Sequence, residues 1–367
     1  MQVIKYLKEH GAAKLTEEFA ISVKQVDDLL VLNYNQIESP KTHPLVIECR
    51  SLILDTDFNI VSRSFDRFFN YGEALNVITE IDFTKAECFE KVDGSLIKIY
   101  HHKGRWNIAT KGTAYGESDC MGHGVTFQEL VWKAVGVSND EEFQSKIKEC
   151  IFDEDITYIF EVTSFENRVV KRYEGYKLHF LAARVNETGE YVSEKETGWF
   201  KASVSGVDFI NYPDRYKFDT VEECIRTARH LKNLDEGYVV YVDGVPVSKI
   251  KSPAYLAVHA IRGEGLTPKR IMQLVLVNEQ DEYLTYFPED EKFFTPYLNA
   301  MHEMTCDVKH AHHMYKDIEE QKDFALQVRH YPFAPVLFKT RMNGKDLMSN
   351  FFTQTDKFQQ TVLEKYL

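Results

Sequence analysis

A lysine at the start of a tight turn is the residue of this sequence best suited to covalent chemistry. Residues 91–95 read Lys-Val-Asp-Gly-Ser and lead into a strand-like stretch, 96–100. A lysine amine is nucleophilic only when neutral, so its ordinary pKa of ~10.4 must be lowered by burial or by nearby positive charge. A neutral Lys91 in a pocket can attack phosphorus or a carbonyl carbon. The alternative is a surface turn, because these residue types are all common in turns.

Two further lysines and two carboxylates have the pattern of a phosphate site. Lys249 and Lys251 are two residues apart in a strand-like stretch, so both side chains lie on one face of it. Glu236 directly precedes the same hairpin, and Glu161 interrupts an apolar strand. Carboxylates suit Mg²⁺, which keeps several waters and bridges to phosphates. Two lysines on one strand face repel each other, which is tolerable beside a polyphosphate; the alternative is a solvated strand face.

Strands and tight turns must position these residues. An Asp-Gly pair at 243–244 suits a two-residue hairpin turn with positive φ. Alternating apolar residues predict strands and hairpins at 50–61, 95–110, 158–163, 168–173, 177–185 and 238–251. Helical spacing is predicted at 1–30, 126–150, 297–322 and 358–367.

A change of pattern near residue 253 divides the chain. Beyond it, β-branched runs and hairpin signals are few, and helical spacing dominates. A length of 367 residues is typical of roughly two domains. We therefore expect an α+β protein, with a sheet-containing domain at 1–253 and a helical domain at 254–367.

Charge and cysteine usage exclude several classes of protein. The formal net charge of −13 argues against nonspecific electrostatic binding of nucleic acid, so a polyanion needs a local basic cleft. The six cysteines form no Cys-x-x-Cys pair, which disfavours a zinc finger or a disulfide framework. With no signal-peptide pattern and no apolar run of ~18 residues, we expect a soluble protein in a reducing compartment.

The ordered motifs resemble those of covalent nucleotidyltransferases, and most closely the T-even bacteriophage RNA ligase 1 family. The superfamily motifs are Lys-Val-Asp-Gly-Ser at 91–95, Phe-Glu at 160–161, Glu-Gly at 236–237 and Lys-Ile-Lys at 249–251. Motifs closer to the family are Glu-Cys-Arg-Ser at 48–51, Ser-Arg at 62–63, Phe-Phe-Asn at 68–70, Thr-Lys-Gly at 110–112, Asn-Glu-Thr-Gly-Glu-Tyr at 186–191 and Ile-Lys-Ser at 250–252. The resemblance covers about 30–255. It implies a nucleotidyltransferase (ATP-grasp-like ligase) domain of antiparallel sheets with flanking helices, followed by an all-helical C-terminal domain.

The resemblance also implies a role for each matching residue. Lys91 corresponds to the lysine that becomes adenylylated by ATP, and Glu161 to the carboxylate that contacts the AMP ribose. Glu236 occupies the position linked to the catalytic metal. Lys249 and Lys251 match the pair that holds the α-phosphate, and the mechanism that the resemblance implies has these cations lower the pKa of Lys91 as well.

Further nucleotide contacts follow from the same resemblance. They are Tyr34, Arg50, Arg67 and Lys111. Arg67 stands where the family has a lysine, an exchange that keeps the charge but changes the geometry. Asp281 and its neighbour Glu282 resemble an acidic pair that reaches a metal in the family; the alternative is a solvated, acidic helix end.

The activity implied by the family is ATP-dependent ligation of RNA. The expected sequence is transfer of AMP to Lys91, then to an RNA 5′-phosphate, and attack by an RNA 3′-hydroxyl, with Mg²⁺ as the metal and Mn²⁺ as a substitute. The family implies repair of RNA, including transfer RNA cleaved in the anticodon loop, by a bacteriophage protein. We expect a monomer without membrane contact, in the cytoplasm of the host if a phage encodes it.

Rival readings of these motifs remain open. A DNA ligase or a GTP-using capping enzyme normally carries an oligonucleotide-binding β-barrel after the Lys-Ile-Lys strand, where this chain is predicted to be helical. A non-catalytic RNA-end-binding module is a third class. His302, Cys306, His310 and His313 share a helical spacing, which suits zinc or an ordinary helix face. The pairs Lys171-Arg172 and Lys269-Arg270 suit either RNA phosphates or solvent, and Phe68-Phe69 suits core packing better than base stacking.

Overall fold

The computed structural model describes residues 1–73, 81–150, 152–192, 209–263 and 266–367. It forms two compact units, Met1–Ala260 and Ile261–Leu367. The described strands are β1 (Ile21–Val26), β2 (Leu29–Tyr34), β3 (Arg50–Asp55), β4 (Ile60–Ser62), β5 (Phe69–Asn70), β6 (Ala86–Glu90), β7 (Ser95–His102), β8 (Arg105–Ala109), β9 (Ile156–Thr163), β10 (Lys177–Val185), β11 (Ile210–Asn211), β12 (Arg215–Tyr216), β13 (Gly237–Val242) and β14 (Val245–Lys251).

Helices flank these strands, and the described elements from Pro253 onward are all helical. The first are α1 (Gln2–Phe19), α2 (Pro44–Glu48), α3 (Phe127–Val135), α4 (Asp140–Lys148), α5 (Val221–Ala228) and α6 (Pro253–Arg262). They are followed by α7 (Pro268–Leu276), α8 (Gln280–Tyr286), a 3₁₀ turn (Pro288–Asp290), α9 (Glu291–Tyr315), α10 (Gln321–Val328), α11 (Ala334–Asn343), α12 (Leu347–Phe352) and α13 (Asp356–Leu363).

The strands of the first unit form three sheets. The first sheet has the order β1-β2-β3-β4, the second β11-β10-β9-β7-β8, and the third β12-β6-β13-β14-β5. Neighbouring strands are antiparallel except for the pairs β10–β11 and β14–β5. The expected α+β fold, with antiparallel sheets, flanking helices and a helical C-terminal region, is confirmed.

Strand alternation leaves one face of the second sheet available for a site. Phe160 and Val162 of β9 point into a core that also contains Leu130 of α3 and Phe143 of α4. Because successive side chains of a strand point to opposite faces, Glu161 points away from that core. Its carboxylate therefore reaches the side of the sheet that the helices do not cover.

The third sheet repeats this arrangement. Val240 and Ile250 pack with Cys224 and Ala228 of α5. Lys249, next to Ile250 on β14, consequently points to the opposite face. The period-two expectation for the lysine pair is confirmed: the intervening Ile250 is buried, whereas the lysines are only partly so.

The second unit is helical and has its own apolar core. Ala300, Met304, Val308 and Ala311 of α9 are buried in it, at the spacing of one helix face. On the same helix, the four side chains proposed as zinc ligands are all exposed: His302, Cys306, His310 and His313. No cluster of three metal-ligating side chains exists among the described residues. No helix within the described ranges is long and apolar enough to span a membrane.

Two sequence-based predictions are wrong. Residues 1–30 are not one helix, because α1 ends at Phe19, Ala20 adopts a left-handed conformation (φ 51°), and β1 and β2 follow as a hairpin. Residues 168–173 do not form a strand in the structure. The backbone N–H groups of Val170 and Lys171 bind the distant carboxylate of Asp93 instead.

Candidate active site

A cleft between the uncovered faces of the second and third sheets is lined by four of the predicted site residues: Arg50, Lys91, Glu161 and Lys249. Its lining includes Leu96, Glu161 and Ala182 from the second sheet, Phe89, Val239 and Lys249 from the third, Arg50 from the first, and Lys91, Phe65, Phe68 and Tyr191 from connecting segments. One part of this lining is apolar and aromatic, and the other is charged, with Arg50, Lys91 and Lys249 beside the carboxylate of Glu161. Such a combination suits a ligand that carries both an aromatic ring and anionic groups.

Lys91 is held in the cleft by an ion pair. Its main-chain N–H donates to Gly237 O (2.8 Å), and its Nζ lies 2.6 Å from Glu236 Oε2. The other carboxylate oxygen, Oε1, lies 2.8 Å from Lys251 Nζ. Glu236 is only 3% exposed, so it connects the two lysines inside the protein.

The pKa of Lys91 differs from the sequence-based expectation. Burial acts to lower the pKa of this amine, but the negative charges of Glu236 and Glu161 outweigh burial, and the net shift is upward. The expected depression by neighbouring cations is therefore wrong for the protein without nucleotide. Lys91 rests as an ammonium ion paired with Glu236.

Lys249 instead has the depressed pKa. Burial, with the nearby charges of Arg50 and Lys91, lowers the pKa of its amine to about 6. Its Nζ lies 4.4 Å from the centre of the Phe68 ring. The crowding of cations expected around Lys91 thus acts on Lys249, which is largely neutral at pH 7.

Glu161 lies in the same cleft with a raised pKa. Burial raises the pKa of its carboxyl to about 7, although the charge of Lys91 acts in the opposite direction. Glu161 and Glu236 offer hard oxygen ligands, and no third carboxylate, histidine or cysteine completes a metal site among the described residues. This donor set fits a cation such as Mg²⁺ that retains waters and binds through a substrate phosphate.

The turn that carries Lys91 is fixed by Asp93. One carboxylate oxygen of Asp93 accepts hydrogen bonds from the N–H groups of Val170 (2.8 Å) and Lys171 (2.7 Å). The other accepts from Tyr255 Oη (2.7 Å), at the start of α6. These bonds explain why 168–173 is not a strand: its amides bind a carboxylate on the Lys91 turn.

Gly94 is required by close packing at the same turn. A Cβ atom at this position would lie 2.3 Å from Val162 O of β9. That distance is far below any real contact, so a larger residue would push the turn away from the second sheet. The Asp-Gly sequence after Lys91 therefore follows from the packing and bonding of this turn.

A second cationic group, Arg67 and Lys111, lies against Tyr34 of the first sheet. The Arg67 guanidinium carbon is 4.4 Å, and Lys111 Nζ 5.0 Å, from the centre of the Tyr34 ring. Burial, together with the charges of Arg50 and Arg67, lowers the pKa of Lys111. Buried Nη1 atoms of Arg50 and Arg67 have no hydrogen-bond acceptor among the described residues. Buried donors without acceptors are costly, which makes these two guanidinium groups candidates for binding an anion.

The remaining predicted residues have different surroundings. Asp281 belongs to the second unit, where it is exposed in the first turn of α8. Lys171, proposed to meet RNA phosphate, is paired with Glu90 (3.0 Å) and Asp235 (2.6 Å). Phe69 is buried, as expected, whereas Phe68 lines the cleft beside Lys249.

Some cleft residues were not singled out from the sequence. Phe65 and Tyr191 line the cleft, with ring centres 6.1 Å apart, and Tyr255 binds Asp93. Phe65 and Tyr191 lie within or beside motifs that were noted without a role. Tyr255 had no signal beyond its position four residues after the Lys-Ile-Lys motif.

Comparison with known proteins agrees with the geometry. A family model described as RNA ligase matches residues 48–255, more than half of the chain. A protein of Autographa californica nuclear polyhedrosis virus, whose name proposes a bifunctional polynucleotide kinase/RNA ligase, is 39% identical over 319 residues. The match covers 83% of this chain but only 44% of that protein. The RNA ligase of Rhodothermus phage RM378 is 24% identical over 425 residues, covering 94% of this chain and 93% of that protein.

Solved structures give a weaker likeness. The Naegleria gruberi RNA ligase with PPi has a TM-score of 0.40 and 17% identity, covering 54% of this chain and 58% of that chain. The family match covers residues 48–255 and does not depend on the structural comparison. That range contains the ordered motifs that begin at Lys91 and end with the Lys-Ile-Lys strand. The chain therefore belongs to the RNA ligase family, as a relative of the T-even bacteriophage RNA ligase 1 enzymes.

Proposed function

We propose that the protein is an ATP-dependent RNA ligase that joins 5′-phosphate and 3′-hydroxyl RNA ends through an adenylylated Lys91. The observation that carries this proposal is the position of Lys91: its amine contacts Glu236 inside a cleft that also contains Glu161 and Lys249. Family membership supports the same reaction class.

In the first step, Lys91 Nζ attacks the α-phosphorus of ATP. An N–P bond forms, the P–O bond to the β-phosphate breaks, and pyrophosphate leaves. Lys249 and Lys251 are proposed to hold the α-phosphate, and the unpartnered guanidinium nitrogens of Arg50 and Arg67 to meet the outer phosphates together with Lys111. Tyr34 is proposed to order Arg67 and Lys111, which lie against its ring.

Binding of the triphosphate offers a route to a neutral Lys91. An anion beside Lys249 offsets the causes of its low pKa, so that Lys249 takes up a proton and becomes a cation. Lys91 must give up a proton before it attacks, and Lys249, whose pKa of about 6 leaves it mainly neutral, is a base in the same cleft that can take up that proton. The positive charge thereby moves from Lys91, which attacks, to Lys249, which is proposed to hold the α-phosphate.

The later steps reuse the cleft. A 5′-phosphate oxygen of RNA attacks the phosphorus on Lys91, the N–P bond breaks, and the lysine is regenerated. A 3′-hydroxyl then attacks the activated 5′-phosphate, and AMP leaves. Glu161 is proposed to contact the AMP ribose. Bound Mg²⁺, or Mn²⁺ in its place, would be held by Glu236 and would stabilise negative charge on the phosphates. Asp281, exposed in the second unit, is proposed as a metal ligand on the family resemblance alone.

The RNA substrate and the separate roles of the two domains are proposed as well. We propose that the domain at 1–253 transfers AMP and that the helical domain at 254–367 recognises RNA, with cleaved transfer RNA as substrate for a monomer in the host cytoplasm. The test compares a cleaved anticodon stem-loop with linear RNA of identical end sequences. We expect at least about tenfold higher kcat/KM for the stem-loop, a typical gain from ~1.4 kcal/mol of extra contacts; equal values contradict this substrate.

A substrate panel separates the ligase from its rivals. The protein is incubated with Mg²⁺ and each nucleoside triphosphate in turn, with either 5′-phosphorylated single-stranded RNA or nicked duplex DNA. We expect sealing of RNA with ATP. Sealing of DNA alone indicates a DNA ligase, labelling by GTP alone indicates a capping enzyme, and absence of pyrophosphate release indicates a binding module.

A further inference from the structure

Two sequence motifs without an assigned role, at 62–63 and 186–191, meet in the structure. Arg63 is 6% exposed and Arg184 5% exposed, so both guanidinium groups are buried. Arg63 Nε donates to Asn186 O (2.6 Å) and its Nη2 to Glu187 O (2.8 Å). Arg184 Nε donates to Gly189 O (2.7 Å), so both arginines bind the main chain of the same turn.

Arg184 also reaches the segment that leads to the cleft wall. Its Nη1 donates to Ser64 O (2.6 Å) and Asp66 Oδ1 (2.9 Å), and its Nη2 to Asp66 Oδ2 (2.7 Å). A two-pronged guanidinium–carboxylate pair fixes orientation as well as distance. Arg184 therefore connects the turn at 186–191 with the segment at 62–68.

The turn fits closely around the two guanidinium groups. Gly189 has φ +79°, and a Cβ atom there would lie 2.3 Å from Arg63 Nη1 and 3.4 Å from Arg184 Nη2. The Tyr191 ring lies 4.9 Å from the Arg184 guanidinium carbon and faces Phe65 at 6.1 Å. Glycine at 189 thus permits both arginines to approach, and the turn ends on a cleft residue.

Arg63 and Arg184, together called the brace, hold the segment at 62–68, which carries Arg67 directly after Asp66. Arg67 N donates to Ile47 O (2.9 Å), and the segment continues into β5, which pairs with β14 beside Lys249. The buried Nη1 of Arg67 has no acceptor among the described residues. A shift of residues 64–66 would therefore displace the Arg67 guanidinium, which is proposed to bind an anion.

We propose that Arg184, with Arg63, is a positioning residue that fixes the 62–68 wall so that Arg67 meets the outer phosphates of ATP. This inference rests on the proposed ATP site. Neither arginine lines the cleft, so each acts through the main chain that it holds. The consequence is graded: binding of a triphosphate depends most on the brace, because its outer phosphates reach Arg67, whereas AMP lacks those phosphates and depends on the brace only through cleft residues of the same wall such as Phe65 and Phe68.

The test measures the dissociation constants of ATP and AMP in a Lys91→Ala background, where no covalent transfer occurs. We expect Arg184→Lys to raise the ATP constant about tenfold and to leave the AMP constant within about twofold. Asp66→Asn, a milder change at a carboxylate that is 42% exposed, should raise the ATP constant about threefold. It keeps the test available if Arg184→Lys does not fold.

A matched control is Arg341→Lys in the second unit. Arg341 also donates to two main-chain carbonyls, those of Ile318 and Glu319, and should leave both constants unchanged. Equal weakening of ATP and AMP in the Arg184 and Asp66 variants, or weakening of neither, overturns the inference. The brace is tested by binding and the ligase by formation of the AMP adduct. If the wild-type protein binds ATP but forms no AMP adduct, the proposed ligase is contradicted, while the inference about Arg184 and Asp66 can still be supported by the dissociation constants.

Discussion

A buried ion pair of the second unit contrasts with Lys249 in the cleft of the first, where cations are crowded together. In the second unit, Asp290 is 2% exposed, accepts a hydrogen bond from Tyr283 Oη (2.8 Å) and lies 3.9 Å from Arg262. In the first unit, Lys249 lies among other cations, and its pKa is depressed to about 6. Asp290 has a partner of opposite charge within the fold. Lys249 is surrounded by Arg50 and Lys91, an arrangement that lowers the stability of the folded protein unless an anion binds. The comparison supports a functional role for the cleft.

The largest expected effect comes from removing the nucleophile. Lys91→Arg keeps a positive charge beside Glu236, but a guanidinium does not lose its proton and cannot attack phosphorus. We expect formation of the AMP adduct to fall by at least about 1,000-fold. Rapid-quench assays with labelled ATP measure this rate, and circular dichroism checks the fold. An adduct formed at the wild-type rate would remove Lys91 from the mechanism.

The second prediction separates activity from stability at Lys249. At pH 7 this amine is neutral when folded and charged when unfolded, so the protein must release a proton to fold. Lys249→Met removes that cost and should raise the free energy of unfolding by about 2–4 kcal/mol. Adduct formation should fall by about 100-fold, because a phosphate-binding charge is lost. Urea denaturation gives the stability, and a less stable variant would contradict the crowding.

The third prediction concerns a buried lysine outside the cleft lining. Lys98 of β7 is 1% exposed and donates to Ser51 O, and burial lowers the pKa of its amine to about 7. Its folded pKa lies below the unfolded value, so the unfolded chain binds more protons between pH 7 and about 10, and stability rises with pH in that range. Relative to Lys98→Met, the wild type should gain about 2–3 kcal/mol between pH 7 and pH 9.

Denaturation of both proteins at several pH values provides the measurement. The wild type and Lys98→Met share every other titrating group, so the difference in their slopes isolates Lys98. Parallel slopes would show that the amine stays charged within the fold.

The smallest effect on activity is expected in the second unit. Asp290→Asn weakens the pairing with Arg262 and the hydrogen bond from Tyr283, and should lower the free energy of unfolding by about 1–3 kcal/mol. Adduct formation from ATP should change less than about twofold, because Asp290 is not among the cleft residues. Thermal melts and the labelled-ATP assay measure the two quantities. A large loss of adduct formation would refute the contrast between the units.

Local patterns were sufficient to predict much of the fold. The Asp-Gly turn at 243–244 predicted the β13–β14 hairpin, and alternation predicted β9 and β10. Amphipathic spacing at 126–150 predicted α3 and α4. These elements depend on residues close in sequence, which is why pattern alone identified them.

Long-range contacts account for what the sequence did not predict. The N–H groups of Val170 and Lys171 bind Asp93, more than seventy residues earlier, so their strand-like pattern was misleading. The pKa of Lys91 depends on the balance between cations and Glu236, which motif order does not specify. Arg184 could have been noticed as an arginine in a buried strand, but its partner Asp66 could not.

The most direct test of the central claim is to locate the AMP adduct in the intact wild-type protein. The protein is incubated with ATP and Mg²⁺, digested under conditions that preserve the N–P bond, and analysed by tandem mass spectrometry. The account predicts a single adenylylated site, on Lys91, that disappears when RNA with a 5′-phosphate is added. An adduct on another residue, or one that persists in Lys91→Ala, would contradict it.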